Sequence, residues 1–346
     1  MDLFTLSETL ADVGHYSGPN ISLHIGFYRP RFRWVDAFRT ERRAIADAIA
    51  QSPCEIVHAH WTYEFALPAI RSGKPSLVTV RDWAPRVLRH QRHPYRLVRL
   101  LMQRAVLRNA PALSANSPYI ADQVRKHFGR NIPVIPNGVP IPETTPTHTP
   151  HPGFRIGALN SGFGRLKNVG TLIEAFAIVK QHVPDATLQL AGTDFETNGP
   201  AATWARERQL SQGVEFIGPL QHLDVREFMQ SLDLFVHPSL EESFGSVLIE
   251  AMVNNTAVIG GADSGAVAWV LDHGNAGHLV DITSPEAIAT ETVKLANNRE
   301  LLQQTASRGR EHVLQEFSID TVVNQYLTLL QEQHTQQQPL STHTRR

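Results

Sequence analysis

One cysteine, Cys54, is all that 346 residues contain. A single thiol builds neither a disulfide framework nor a thiolate metal cluster, and such sparing use fits a reducing cytoplasm. No apolar run approaches the ~20 residues that a membrane-crossing helix needs. The first residues lack the basic-then-apolar order of a signal peptide. An excess of one charge is missing as well: the formal net charge is −1, so no global field draws the chain to nucleic acid or membrane. These absences predict a cytoplasmic protein without a nucleic-acid partner. With 42% hydrophobic residues the chain has material for sizeable cores, and its length predicts about two domains.

Short apolar runs alternate with helical patterns. EIVHAH (55–60) and PSLVTV (75–80) read as buried strands, PALSANS (111–117) and IPVIPNGV (132–139) each as a strand plus a turn, and the stretch from Ala84 to Asn109 has helical spacing. IPETTPTHTPHPG (141–153), rich in Pro and Thr, reads as a linker. The alternation then restarts with FRIGAL, ATLQLAG, VEFIGPL, DLFVHPS and TAVIGG as strands. The expected domains are residues 1–140 and 154–332, with a disordered tail over 333–346. Alternating strands and helices imply α/β domains with parallel, doubly wound sheets, which bind ligands at the carboxyl ends of their strands.

HPSLEESFGSVLIEAM (237–252) carries the strongest chemical signal. Gly245 opens a helix after a strand, and Ser243 can cap it. A helix N-terminus offers free N–H groups and the positive end of the macrodipole, so it accepts phosphate. Glu242 lies just before this helix and Glu250 about two turns inside it. Two glutamates at this spacing, taken alone, are more often a solvated helix face.

The stretch resembles the signature of the retaining glycosyltransferases of family 4, enzymes of the two-domain GT-B fold with two Rossmann-like domains facing a cleft. IPNGV (135–139), LKNVGTLIEAF (166–176), ATLQLAG and VEFIGPL are similar to further segments of that family. The resemblance implies a nucleotide-sugar donor, no cofactor and no metal. It implies Glu250 as the ribose ligand and Glu242 as the acid beside the donor sugar. Ser243, Phe244, Gly245 and Ser246 would meet the diphosphate through their N–H groups, with Asn160 and Gly192 also in the donor site. Lys167 would stabilise the leaving diphosphate. Where the family commonly has an arginine after the strand glycine this chain has Ala158, and Arg165 is the candidate replacement. Asn255 stands where a turn glycine is common and can take its left-handed conformation. The usual glycine pair appears as Ser264–Gly265.

MDLFTLSETLADVGHYSG reads as the end of the family's first helix and its turn. The first domain is therefore expected to lack its opening strand and glycine loop. On the acceptor side, His60, Arg81 and Asp82 are the candidates. Arg81 stays protonated and cannot serve as a base, and an Arg81–Asp82 ion pair at the strand end is an equal alternative. His58 and His60 share a strand face but have no third metal ligand nearby. Eight arginines between Arg81 and Arg108, interleaved with apolar residues, face a single acid. Such a segment can rest on the inner face of an anionic membrane, which would suit a lipid-linked or glycan acceptor. Two other expectations stay open: a nucleotide-sugar-binding relative with impaired catalysis, or a nucleotide-sugar epimerase on the same fold.

Overall fold

The computed structural model describes residues 1–144, 146 and 151–337. They divide into two compact units, one of Met1–Ile135 with the residues from Asn324 onward, the other of Pro136–Val323.

In the first unit β1 (Asp2–Ser7), β2 (Gly14–Ser17) and β3 (Ser22–Phe27) form a sheet in the order β1-β3-β2, with β1 parallel and β2 antiparallel to β3. After α1 (Arg39–Gln51) comes a second, parallel sheet of β4 (Val57–His60), β5 (Ser76–Val80) and β6 (Ala112–Ala115). Its connections are α2 (Ala66–Arg71), α3 (Ala84–His90) and α4 (Pro94–Asn109), and α5 (Pro118–Phe128) follows β6. The first residues are thus a strand and not the end of a helix. Phe4, Thr5 and the flanking leucines suit a pleated surface, and β3 supplies the pairing.

β1 and β4 do not pair. A cavity of about 270 Å³ lies between them, lined by residues 2–5 and 57–61 above Ile45 and Ile49 of α1. Consecutive residues line it from both strands, so each strand presents its edge. In the common doubly wound order the opening strand lies centrally, between the second and the fourth. The interruption falls at that place.

Two further expectations are corrected here. The helical pattern from Ala84 to Asn109 breaks at Gln91–His93, because Pro94 disfavours a helical residue before it. The His93 ring caps the new helix by accepting from Tyr95 N at 3.1 Å. IPVIPNGV is not a strand: it makes two isolated bridges, Val134 to Ala115 and Val139 to Ser318. Pro133 and Pro136 lack the N–H groups that a ladder requires.

The second unit has one six-stranded parallel sheet. β7 (Phe154–Leu159), α6 (Val169–His182), β8 (Ala186–Ala191), α7 (Pro200–Glu207) and β9 (Val214–Gly218) run to one edge. After α8 (His222–Gln230) the chain returns to the centre as β10 (Leu234–His237) beside β7. It then runs outward through α9 (Ser246–Val253), β11 (Ala257–Gly261), α10 (Val267–Val270) and β12 (His278–Val280). The resulting order is β12-β11-β10-β7-β8-β9. Leu172, Ile173, Phe176 and Val179 turn one face of α6 to the sheet, each contributing about 1.5–3 kcal/mol by its burial. Asn255 has φ +61°, so it does take the left-handed turn after α9.

α11 (Pro285–Ala296) and α12 (Arg299–Glu316) follow, capped by Ser284 and Asn298, which accept from Ala287 N and Leu301 N. α13 (Ile319–Gln337) replaces the expected disorder over 333–337, while residues 338–346 of the expected tail, and 145 and 147–150 of the expected linker, lie outside the described residues. From Asn324 on, α13 belongs to the first unit, where the Tyr326 ring packs at a tilt of 43° against His58 and its hydroxyl meets Thr79 Oγ1 at 3.3 Å.

Candidate active site

The switch point of the second sheet lies between β7 and β10, where successive strands depart in opposite directions and their loops cannot cover the space between. A cavity of about 460 Å³ opens there. It is lined by residues at or just past the carboxyl ends of β7, β8, β9 and β10: Asn160, Gly192, Pro219 and His237. Lys167, Glu242, Gly245 and Ser246 complete its polar wall.

Glu242 is fixed first through its backbone. Its N–H donates to Ser264 O at 3.3 Å and its carbonyl accepts from Ala266 N at 2.9 Å. Gly265, at φ +67°, makes this approach possible, since a Cβ there would lie 2.3 Å from Glu242 O. The carboxylate then receives Lys167 Nζ at 2.7 Å, and His237 Nε2 stands 3.3 Å from the same Oε1. Burial by itself would raise the Glu242 pKa. The His237 ring and the Lys167 ammonium outweigh it and hold the carboxyl at about 2. At neutral pH Glu242 is ionised and has no proton to donate.

Two features point to a polar ligand. Asn160 is 6% exposed, and its buried Oδ1 has no partner among the described residues. The N-terminus of α9 faces the same cavity, with Gly245 in the left-handed conformation at φ +87°. Ser246 Oγ is oriented by accepting from Asn137 Nδ2 at 2.9 Å. Gly192 has φ +115°, and a Cβ on it would fall 1.8 Å from Asn160 O. Only glycine lets the ends of β7 and β8 meet this closely.

The structure brings together Lys167, Glu242, Asn160, Gly192, Gly245 and Ser246. It leaves out the others. Arg165 is exposed in the turn before α6 and does not line the cavity, because the turn aims it into solvent. Phe244 is buried edge-on between Trp269 and Phe317, so its side chain anchors the loop. Ser243 does not line the cavity either. Glu250 lines an adjoining cavity of about 570 Å³ with Arg226 and Asn254, and His222 borders both cavities. Burial raises the Glu250 carboxyl and the His222 charge opposes it.

The first-unit candidates form their own network. Arg81 Nε donates to His60 Nδ1 at 2.9 Å, and Tyr63 donates its hydroxyl to Asp82 at 2.9 Å. The Arg81–Asp82 pair is therefore not made: the side chains take separate partners. Burial, reinforced by His58 and Arg81, lowers His60 to about 3, and burial lowers His58 to about 4. Both rings are neutral at physiological pH. Among the described residues no group of three metal-ligating side chains converges.

Sequence reading passed over His237, Leu220 and His222. The available signal was position: each follows or ends a strand at its carboxyl end.

Known proteins agree with this architecture. Residues 160–312 match the family described as glycosyl transferases group 1, and residues 3–142 match Glycosyltransferase Family 4. The lipopolysaccharide core biosynthesis glycosyltransferase LpsE of Rhizobium meliloti is 28% identical over 75% of this chain and 77% of its own. The N-acetyl-alpha-D-glucosaminyl L-malate synthase of Bacillus anthracis is 31% identical over 49% of this chain, a match spanning 43% of that relative. A sucrose-phosphate synthase from Thermosynechococcus elongatus superposes with TM-score 0.81 over 97% of this chain and 89% of its own, at 20% identity. Anabaena Alr3699/HepE, solved with UDP-glucose, superposes with TM-score 0.71 over 90% and 86%, at 19% identity. The fold is GT-B, with two Rossmann-like α/β domains. The two matches fall one on each domain, and both models describe glycosyltransferases.

Proposed function

We propose that the chain transfers a hexosyl group from a nucleotide-sugar donor to a hydroxyl of a glycan or lipid-linked acceptor, in polysaccharide or glycolipid assembly. The observation that carries this reading is the Lys167–Glu242 pair beside the N-terminus of α9, at the switch point of the sheet. The diphosphate lies on the N–H groups of Gly245 and Ser246, where the helix dipole favours negative charge. Lys167 turns from Glu242 to a phosphate oxygen as the bond to the sugar breaks, which is electrostatic stabilisation of a leaving group. Glu242, ionised, accepts from a hydroxyl of the donor sugar. Glu250, in the adjoining cavity, takes the ribose hydroxyls.

The reaction proceeds with retention. The bond from the anomeric carbon to the phosphate oxygen breaks, the acceptor oxygen bonds to the same face, and the departing phosphate takes the acceptor's proton. No ionisable protein group is needed as a base, and no cofactor or metal enters. UDP-glucose in the HepE structure supports a uridine donor.

A membrane-borne acceptor is supported by α4. Leu97 and Leu101 are 50% and 57% exposed, and Arg104 and Arg108 continue their face at helical spacing. Among the described residues no helix is long and apolar enough to cross a membrane, so the contact is peripheral.

The reading is tested by incubating the protein with labelled UDP-, GDP- and ADP-sugars, with and without cell-extract acceptors. It expects label in a glycan or glycolipid, with the donor's anomeric configuration kept. A changed sugar nucleotide without acceptor would make the protein an epimerase. Binding without any product would make it a binder.

A further inference from the structure

We propose that His237 is a positioning residue for the transfer reaction: it holds Glu242 while Lys167 leaves that carboxylate for the donor's diphosphate. The proposal rests on the reading given above.

His237 ends β10, one of the two strands that flank the switch point, and its side chain is 2% exposed. The ring lies nearly parallel to Phe235, with 19° between the planes, and reaches the cavity wall. A histidine buried only for packing would spend its nitrogens on backbone or side chains away from the cavity. Here both Nδ1 and Nε2 are buried without a hydrogen-bond partner among the described residues, and the polar atom that stands beside Nε2 is Glu242 Oε1, at 3.3 Å. Lys167 Nζ approaches that same oxygen at 2.7 Å. A carboxylate oxygen accepts two donors, one per lone pair.

Sharing one oxygen has a mechanical consequence. Were Lys167 the only partner, its departure would strand a buried carboxylate, and Glu242 would swing after the ammonium or keep it from leaving. With the unspent His237 Nε2 beside it, Oε1 has a donor to take up when Lys167 exchanges Glu242 for phosphate. The clamped backbone of Glu242 leaves only side-chain torsions to be restrained, and the ring restrains them. His237 touches no reacting atom in this scheme and acts through Glu242.

The experiment compares His237→Leu and His237→Gln with wild type, measuring kcat, donor KM and UDP affinity by calorimetry. Gln reaches Glu242 with its amide N–H; Leu fills space without a donor. The expected result for His237→Leu is a kcat lowered about a hundredfold, as misplaced catalytic groups show, with KM and UDP affinity within about threefold of wild type. His237→Gln should recover most of kcat. An unchanged kcat in the Leu variant, or equal losses in both variants, overturns the proposal. Should the Leu variant not fold, His237→Asn, too short to reach Glu242, replaces it under the same criteria. A wild-type protein that transfers no sugar contradicts the functional reading itself; wild-type transfer with an unimpaired Leu variant contradicts this proposal alone.

Discussion

Lys167 Nζ meets Glu242 Oε1 at 2.7 Å across 75 positions of sequence, from loops that leave the neighbouring strands β7 and β10. The contact stores a cation beside the helix N-terminus of α9 without leaving either charge unpaired. A ligand bearing phosphate competes with Glu242 for that cation.

Replacing Lys167 by Ala should lower kcat by about two to three orders of magnitude, the usual cost of removing one transition-state donor. Steady-state kinetics with saturating donor checks this. The same change removes a counter-charge from Glu242, so the carboxyl pKa should rise when followed by NMR.

The depressed Glu242 carboxyl makes stability depend on pH in a defined direction. Its folded pKa of about 2 lies below the ordinary 4.5, so its contribution is complete above about 4.5 and disappears as pH falls towards 2. Thermal melts of wild type and Glu242→Gln across that window should converge at its acid end and diverge above it.

Gly192 and Gly265 should tolerate no side chain. A Cβ would lie 1.8 Å from Asn160 O in the first case and 2.3 Å from Glu242 O in the second. Beyond about 1–3 kcal/mol of left-handed strain, the backbone must shift. Urea denaturation of each Ala variant should show a loss of at least that size, and Gly265→Ala should also depress kcat by displacing Glu242.

Leu97→Glu with Leu101→Glu should abolish binding to vesicles containing anionic phospholipid and leave the melting temperature close to wild type, because both side chains are half exposed. Co-sedimentation with anionic and with neutral vesicles reads the effect. Equal binding by the double variant would remove α4 from the membrane reading.

Much of the second unit was legible in the sequence because its strands are short β-branched or apolar runs bounded by glycine, and each expected run contains an observed strand. Lys167 and Glu242 were legible from local motif, since each sits at a strand-to-helix loop. Arg165 was not: its placement depends on how the turn over Gly164–Lys167 closes, which residue type alone does not encode. His237 escaped for a related reason, because its role comes from a partner five residues on whose backbone is held by Ser264 and Ala266. α13 was misjudged because a Gln-rich composition resembles disorder, and the Tyr326–Thr79 contact spans 247 positions. β1 was misread as a helix end because its partner β3 lies beyond the window in which a helix pattern is read.

The central claim, that the switch-point cavity of the second domain binds a nucleotide-sugar diphosphate, is tested most directly by calorimetric titration of UDP-glucose, and of GDP- and ADP-sugars, into wild type and Lys167→Ala. The account predicts saturable binding of at least one of these donors to wild type, weakened at least about tenfold in the variant, roughly 1.4 kcal/mol. Binding of the same strength in both proteins, or binding of none of the three to wild type, would contradict it.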